Sequence, residues 1–168
     1  SNVGAPYENK ANIDRVFLTP EKPSATEYAL KAIDNADAII LGPGSLYTSI
    51  IPNLLVDGIA EAIKRSNAKK IYVCNIMTQP GETDGYTAYD HLNAIEKHTY
   101  PGIIDNIIVN SQEIPHELEQ RYREAGAAPV LVDEEKFSGK SLIKARMLVM
   151  HEDKVRHSFA RLARAISV

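Results

Sequence analysis

The sequence has 168 residues, of which 44% are hydrophobic and 24% are charged. A chain of this length is expected to form one domain and to bury a full core without disulfides or a structural metal. Its net charge of −3 argues against a general nucleic-acid binder, because such a protein needs an excess of Lys and Arg to neutralise phosphates.

The cellular compartment is predicted from features that the sequence lacks. A single cysteine, Cys74, excludes an internal disulfide and favours a reducing environment. We find no signal peptide and no apolar run long enough to cross a bilayer, so we predict a cytoplasmic protein without membrane insertion. The first ten residues are polar and have no periodic pattern, and we interpret them as the start of a piece whose upstream region is missing.

In the first half of the chain, short apolar runs alternate with helical patterns. Residues 16–18 predict a strand, and residues 24–27 have the Ser-x-x-Glu spacing of a capping box at the start of a helix. Residues 38–41 form an apolar run typical of a strand that is buried on both faces, as in a parallel sheet. A second helix is predicted from about Pro52, and its buried stripe consists of Leu55, Ile59, Ala62 and Ile63.

The second half repeats this alternation. Helices are predicted to begin at the capping box of residues 87–90 and at Pro115, and Gly126 ends the second of them. A last helix is predicted to start at Arg156 and His157, and its apolar side consists of Val155, Phe159, Leu162 and Ile166. Strands are predicted at residues 71–74, 107–109 and 130–132, with an extended segment at residues 144–150.

Strands and helices that alternate in this way indicate βαβ units. We therefore predict a single α/β domain over residues 1–168, with a mostly parallel sheet covered by helices on both faces. In such sheets, ligands bind beyond the carboxyl ends of the strands. The loops predicted at that edge are residues 42–49, residues 75–85, and residues 110–115, which begin with the candidate Asn110.

The loop of residues 42–49 has the composition of an anion-binding loop. Glycines allow a tight turn and close approach of a ligand, and the following helix offers free amide groups. The loop lacks the Gly-Lys-Ser/Thr ending of an ATPase loop and a complete Gly-x-Gly-x-x-Gly, so a plain strand-to-helix turn is an equal alternative. The candidate ligand-binding residues are Gly42, Pro43, Gly44, Ser45, Thr48 and Ser49.

The loop of residues 75–85 places amide, hydroxyl and carboxylate groups between a strand and a helix, which favours recognition of a sugar or a base. The alternative is a polar surface loop in which Asp84, Thr87 and Asp90 only cap turns and the next helix. Cys74, just before this loop, is interpreted as a core residue rather than a nucleophile. The candidates for polar recognition are Asn75, Thr78, Gln79, Gly81, Glu82 and Thr83.

Two residues outside these loops are also candidates. Tyr122 falls on the apolar stripe of its helix, where a half-buried ring with an exposed hydroxyl is the ordinary interpretation. Arg156 is predicted at a helix start, where a cation opposes the helix dipole, and this position favours contact with an anion. The five histidines show no metal-ligand spacing, so the residues predict no protein metal site.

Two long runs resemble a known family: LGPGSLYTSIIPNLLV at residues 41–56 and VCNIMTQPGETDGYTAYDHL at residues 73–92. They are similar to the YvcK-type gluconeogenesis factors of bacteria, which belong to the 2-phospho-L-lactate transferase-like (CofD-like) proteins. Shorter stretches at residues 108–110, 121–122 and 155–157 share the resemblance. It implies a Rossmann-like fold and a role in gluconeogenic growth, cell shape and cell-wall precursor supply.

The resemblance also implies a regulatory protein that binds a nucleotide or nucleotide sugar, such as UDP-N-acetylglucosamine. Residues 42–49 would hold the diphosphate, the polar side chains of residues 75–85 would recognise the ligand, and Tyr122 and Arg156 would close over it. Family members open with a glycine-rich nucleotide loop that this sequence lacks. We therefore interpret the chain as a C-terminal portion that carries one side of the site.

Two alternatives stay open. The first is a transferase that uses a nucleotide-activated substrate and Mg²⁺ held by carboxylates such as Asp84 or Glu82. The transferase branch has a Ser-Asn-Pro-type stretch where this chain has residues 44–48, which argues against phospholactate transfer. The second is a scaffold or dimerisation element without affinity of its own, in which uncovered apolar residues favour a homo-oligomer.

Overall fold

A computed structural model describes residues 13–137, 139–151 and 154–166. The predicted start at residues 1–10 lies outside them. The strands are β1 (Ala38–Leu41), β2 (Lys69–Val73), β3 (Asn106–Asn110), β4 (Ser141–Ala145), β5 (Leu148–His151) and β6 (Lys154–His157). The helices are α1 (Glu27–Asp34), α2 (Ile51–Leu54), α3 (Ile59–Arg65), α4 (Ala88–His98), α5 (His116–Glu124) and α6 (Phe159–Ile166).

Strands β1 to β4 form a parallel sheet in the order β1-β2-β3-β4, and β5 and β6 form a separate antiparallel hairpin. The parallel register, with Ile71 opposite Asn106 and Asn106 opposite Ser141, brings the carboxyl ends of the strands to one edge. The predicted α/β fold with a mostly parallel sheet is therefore confirmed. None of the described helices is long and apolar enough to span a membrane.

The two faces of the sheet bury different hydrophobic clusters, because side chains alternate along each strand. On one face, Tyr72 of β2 packs with Leu92 and Ile95 of α4 and with side chains of α2 and α3. On the other face, smaller in extent, the partners are Ile71, Val73, Ile108, Met147, Leu162 and Ala165. Helices thus cover both faces, as the sequence predicts.

Helix α4 starts at the predicted capping box, and the Asp133 carboxylate provides further hydrogen bonds at this helix start. Thr87 accepts a hydrogen bond from the Asp90 amide, and Asp90 accepts one from the Thr87 amide, which confirms the box. Asp133 adds a carboxylate that accepts from the Thr87 hydroxyl at 2.8 Å and from the Tyr89 amide at 3.2 Å. Burial acts to raise the pKa of Asp133, but hydrogen bonds from Lys136, Thr87 and Tyr89 outweigh it and lower that pKa below 3.8.

Three predictions for the first half are wrong. Residues 16–18 form no strand, since the Val16 amide donates to His98 Nε2 at 3.0 Å instead of to a neighbouring strand. The N-cap of α1 is Thr26, which accepts from the Ala29 amide, whereas Ser24 forms a backbone bridge with Asp57. Strand β1 is not buried on both faces: it is the outermost strand of the described sheet, and Ala38 and Ile40 are exposed.

The helix predicted from Pro52 is broken in two. A π-helical turn (Leu46–Ile50) leads into α2, and α3 begins only after Gly58, whose φ of +92° ends the helical path. The break is fixed by neighbouring backbone, because the Asp57 amide donates to Pro23 O at 2.9 Å. This tertiary pairing overrides the helical period of the sequence.

Two predictions for the second half are also wrong. Residues 130–132 form no strand, since only Leu131 among them makes an isolated bridge, with Thr87, and the fourth position of the sheet is taken by β4. The chain there pairs with loop backbone, since the Val130 amide donates to Ile76 O at 3.0 Å. Arg156 and His157 do not start the last helix; they lie in β6, and α6 begins at Phe159.

Candidate functional site

An open groove of about 1330 Å³ lies beyond the carboxyl ends of β1 and β2. One wall is formed by the loops after these strands, and the other by the end of α5, the β5–β6 hairpin and the start of α6. Of the predicted site residues, the groove brings together Pro43, Gly44, Ser45, Ser49, Asn75, Thr78, Gln79, Tyr122 and Arg156.

Gly42 sits at the turn after β1 for a reason that differs from the predicted one. Its φ is +91°, and a Cβ added there would lie 2.9 Å from Val73 O of β2. The glycine therefore permits close packing of the loop on the neighbouring strand, and it is Gly44, Ser45 and Ser49 that line the groove. Thr48 is exposed and does not line the groove.

Side chains tie the two loops into one unit. Gln79 Nε2 donates to Ser45 Oγ at 2.8 Å across 34 residues of sequence. Behind the groove, the hydroxyls of Tyr47 and Tyr86 are 2.7 Å apart. Burial, together with that contact, raises the pKa of Tyr47, so its phenol stays protonated. Gln79 Oε1 is buried and has no hydrogen-bond partner among the described residues.

Most polar groups of the second loop hold the loop itself. The Ala128 amide donates to Thr78 Oγ1 at 2.9 Å, and the Gln79 amide donates to the fully buried Thr83 Oγ1 at 2.8 Å. The Gly81 amide donates to Asp84 Oδ2 at 2.7 Å. Gly81, Glu82 and Thr83 do not line the groove, so their predicted contact with a ligand has no support in its geometry.

Asn110 organises the end of β3 instead of facing the groove. Its Nδ2 donates to Gln112 O at 2.7 Å and its Oδ1 accepts from the Met147 amide at 3.2 Å. Asn110 lines a neighbouring pocket of about 590 Å³ at the same edge of the sheet, which shares Asn75 and Ile76 with the groove. The residue therefore couples β3 to the start of β5.

The hairpin supplies groove residues that the sequence interpretation placed in a helix or missed. Arg156 pairs with Val149 across the hairpin, and both line the groove. His157 Nε2 donates to Cys74 O at 3.3 Å, since a carbonyl can only accept. Burial lowers the pKa of His157 below 6.5. A strand pattern in residues 154–157 is too short to be recognised without its partner strand.

The charge of the groove favours an anion. Arg156 lines it, and no carboxylate is among its described lining residues. Asp84 and Glu82, the predicted Mg²⁺ ligands, lie outside the lining. The described residues contain no group of three or more His, Cys, Asp or Glu side chains placed to bind a metal. Mg²⁺ binding stays a prediction, and the described groove residues offer it no carboxylate.

Comparison with known proteins identifies the family to which the sequence is similar. The family described as 2-phospho-L-lactate transferase CofD matches residues 1–148. A protein of Halalkalibacterium halodurans named gluconeogenesis factor is 49% identical over 156 residues, which are 92% of this chain and 48% of that protein. The gluconeogenesis factor of Bacillus subtilis is 47% identical over 153 residues, 90% of this chain and 48% of its own length.

A crystal structure at 2.60 Å resolution, of a UPF0052-family protein from Bacillus halodurans, superimposes with a TM-score of 0.90 at 48% identity. The match covers 92% of this chain and 51% of that one. It agrees with a Rossmann-like α/β fold. The chain spans about half the length of the curated relatives it matches.

Proposed function

The chain belongs to the 2-phospho-L-lactate transferase CofD family, and from this premise we propose that it is part of a regulatory protein that binds a UDP-sugar, such as UDP-N-acetylglucosamine, in the groove. The role that we propose is in gluconeogenic growth, cell shape and cell-wall precursor supply, within the cytoplasm. The observation that carries the proposal is a groove with an arginine, loop hydroxyls and no carboxylate among its described lining residues.

The diphosphate has a matching set of groups in this groove. Ser45 is the N-cap of the helical segment after β1, where helix amides favour a phosphate, and Ser49 adds a hydroxyl one turn further along. Arg156 comes from the hairpin on the other wall, and its forked guanidinium suits two phosphate oxygens at once. A ligand with two linked phosphates fits such a pair of walls better than a neutral metabolite does.

The regulatory role is supported by the names of relatives. Proteins called gluconeogenesis factor share 47% and 49% identity with this chain over 90% or more of its length. Their name refers to gluconeogenesis and not to a single reaction. A ligand that reports on sugar-nucleotide supply would give a factor of this kind a signal to respond to.

Isothermal titration of the protein at its natural length with UDP-N-acetylglucosamine tests the proposal. We expect saturable binding, and we expect Arg156→Ala to weaken it at least tenfold, since a charge-assisted bond to phosphate contributes roughly 1.5–3 kcal/mol. The matched control is Arg164→Ala, which removes an exposed arginine of α6 that does not line the groove. Absence of heat at millimolar ligand would reject the proposal.

A transferase is the second candidate, because the matching family is described by that activity. One atom on the chain favours it: Glu82 Oε2 is a buried carboxylate oxygen without a hydrogen-bond partner among the described residues, although Glu82 does not line the groove. In that case Mg²⁺ would neutralise the phosphates of a nucleotide-activated substrate. Mg²⁺-dependent turnover that Glu82→Gln abolishes would support this activity, and unchanged nucleotide after long incubation contradicts it.

A further inference from the structure

The apolar side of α6 extends beyond the core and into the groove. Leu162 and Ala165 are buried against the sheet, as an amphipathic helix requires. Phe159, one turn before Leu162, shares their side of the helix, yet it is 85% exposed and lines the groove. Phe159 is therefore not part of the core, and the Phe159 ring is accessible to a ligand in the groove.

The backbone before Phe159 is fixed, so the ring has a defined place. The His157 side chain donates to Cys74 O at 3.3 Å, which attaches β6 to the end of β2. The Ser158 amide donates to Met147 O at 2.6 Å, and the Leu162 amide donates to Ser158 O at 2.8 Å. Phe159 thus starts a helix whose two preceding residues are bonded to the chain just after β2 and just before β5.

The two walls of the groove carry different side chains. Ser45, Ser49 and Gln79 come from the loops after β1 and β2, whereas the 42% exposed Val149 and the 85% exposed Phe159 come from the hairpin and from the start of α6. Arg156 stands directly opposite Val149 in the hairpin. A phosphorylated ligand that spans both walls can therefore place its negative charge near Arg156 and a flat group against the Phe159 ring.

We propose that Phe159 is the stacking residue for the nucleobase of the bound nucleotide sugar; this inference rests on the proposed function. The diphosphate is charged and the sugar carries hydroxyls around its ring, whereas the base offers the larger flat aromatic face. Stacking of a base on an aromatic side chain contributes to affinity and tolerates different bases. Phe159 therefore strengthens binding of the nucleotide part of the ligand and leaves the choice among bases to hydrogen bonds elsewhere.

Titration of the natural-length protein with UDP and with UDP-N-acetylglucosamine tests this role through four variants. We expect Phe159→Ala and Phe159→Leu to weaken both ligands about tenfold or more, because leucine keeps apolar bulk but has no ring. Phe159→Trp should bind at least as well as the wild type. Tyr28→Ala is the matched control, since Tyr28 is 84% exposed on α1 and lies outside the groove.

The outcomes separate this inference from the function on which it rests. Wild-type protein that binds neither ligand overturns both. Wild-type protein that binds UDP while Phe159→Ala or Phe159→Leu binds it equally well overturns only the stacking role. Because Phe159 is exposed, its variants should unfold at the wild-type urea midpoint, and loss of binding then reports on the groove rather than on the fold.

Discussion

At the scale of single residues, Gly42 is needed where the sequence predicts a glycine, but the group that requires it is a backbone carbonyl and not a ligand. The sequence predicts that glycine lets a ligand approach the loop. In the structure the approaching group is Val73 O, which a Cβ at position 42 would meet at 2.9 Å, and the backbone is left-handed at φ +91°. Gly42 is therefore needed for the loop to pack against β2, whether or not a ligand is bound.

We predict that Gly42→Ala lowers the free energy of unfolding by about 2–4 kcal/mol, since left-handed backbone strain and overpacking add together. Urea denaturation followed by far-UV circular dichroism measures this loss. Gly81→Ala is the control: Gly81 has φ +79° but no atom within 4 Å of an added Cβ, so about 1 kcal/mol is expected. Equal losses for the two variants would contradict the packing role.

At the scale of elements, α4 contains a fully buried histidine. His91 Nδ1 donates to Thr87 O at 2.8 Å, and its ring meets Tyr86 edge-on at a centroid distance of 5.5 Å. His91 Nε2 is buried and has no partner among the described residues. Burial lowers the pKa of His91 below 6.5 in the folded chain, because a proton on Nε2 would meet no acceptor there.

The sign of the pH dependence follows from that shift. The unfolded chain binds the proton more readily than the folded one, so stability is complete above pH 6.5 and is lost as pH falls through the lowered pKa. We predict that the urea midpoint of the wild type decreases between pH 7.5 and pH 5. His91→Asn keeps a donor toward Thr87 O and cannot take up a proton, so this decrease should become smaller.

His157, whose pKa burial also lowers, keeps part of the pH dependence in the His91→Asn variant. His116→Asn serves as a control, because His116 is exposed at the start of α5 and its replacement should leave the decrease unchanged. A His91→Asn variant with the full wild-type decrease would show that His91 does not cause it.

At the scale of the whole molecule, the sheet ends on a strand whose outer edge has no partner among the described residues. β1 pairs only with β2, and Ile40 in its middle is 43% exposed. Unpaired edges with apolar side chains are templates for another strand. A homo-oligomer formed through uncovered apolar residues is one of the alternatives that the sequence leaves open, and the exposed edge of β1 is a surface of that kind.

We predict that the 168-residue chain self-associates through β1 and that Ile40→Lys shifts it toward monomer, because a charge at an exposed edge opposes strand pairing. Sedimentation velocity over a range of concentrations measures this. Leu131→Lys is the control, since Leu131 is 69% exposed but lines the pocket of about 590 Å³ next to the groove and does not lie on β1. A monomeric wild type, or an equal response to both variants, would contradict the role of this edge.

The sequence by itself determined the alternation of strands and helices, the capping box at Thr87 and the two loops at the carboxyl edge, because each depends on local periodicity or local hydrogen bonding. Only the tertiary structure decided that residues 130–132 are not a strand and that position 42 needs a glycine because Val73 O lies close to it. It also decided that Arg156 lines the groove from a hairpin and that Phe159 lines it from the start of a helix. These features depend on backbone partners far away in sequence, such as Ile76 for Val130 and Cys74 for His157. No local pattern records such partners.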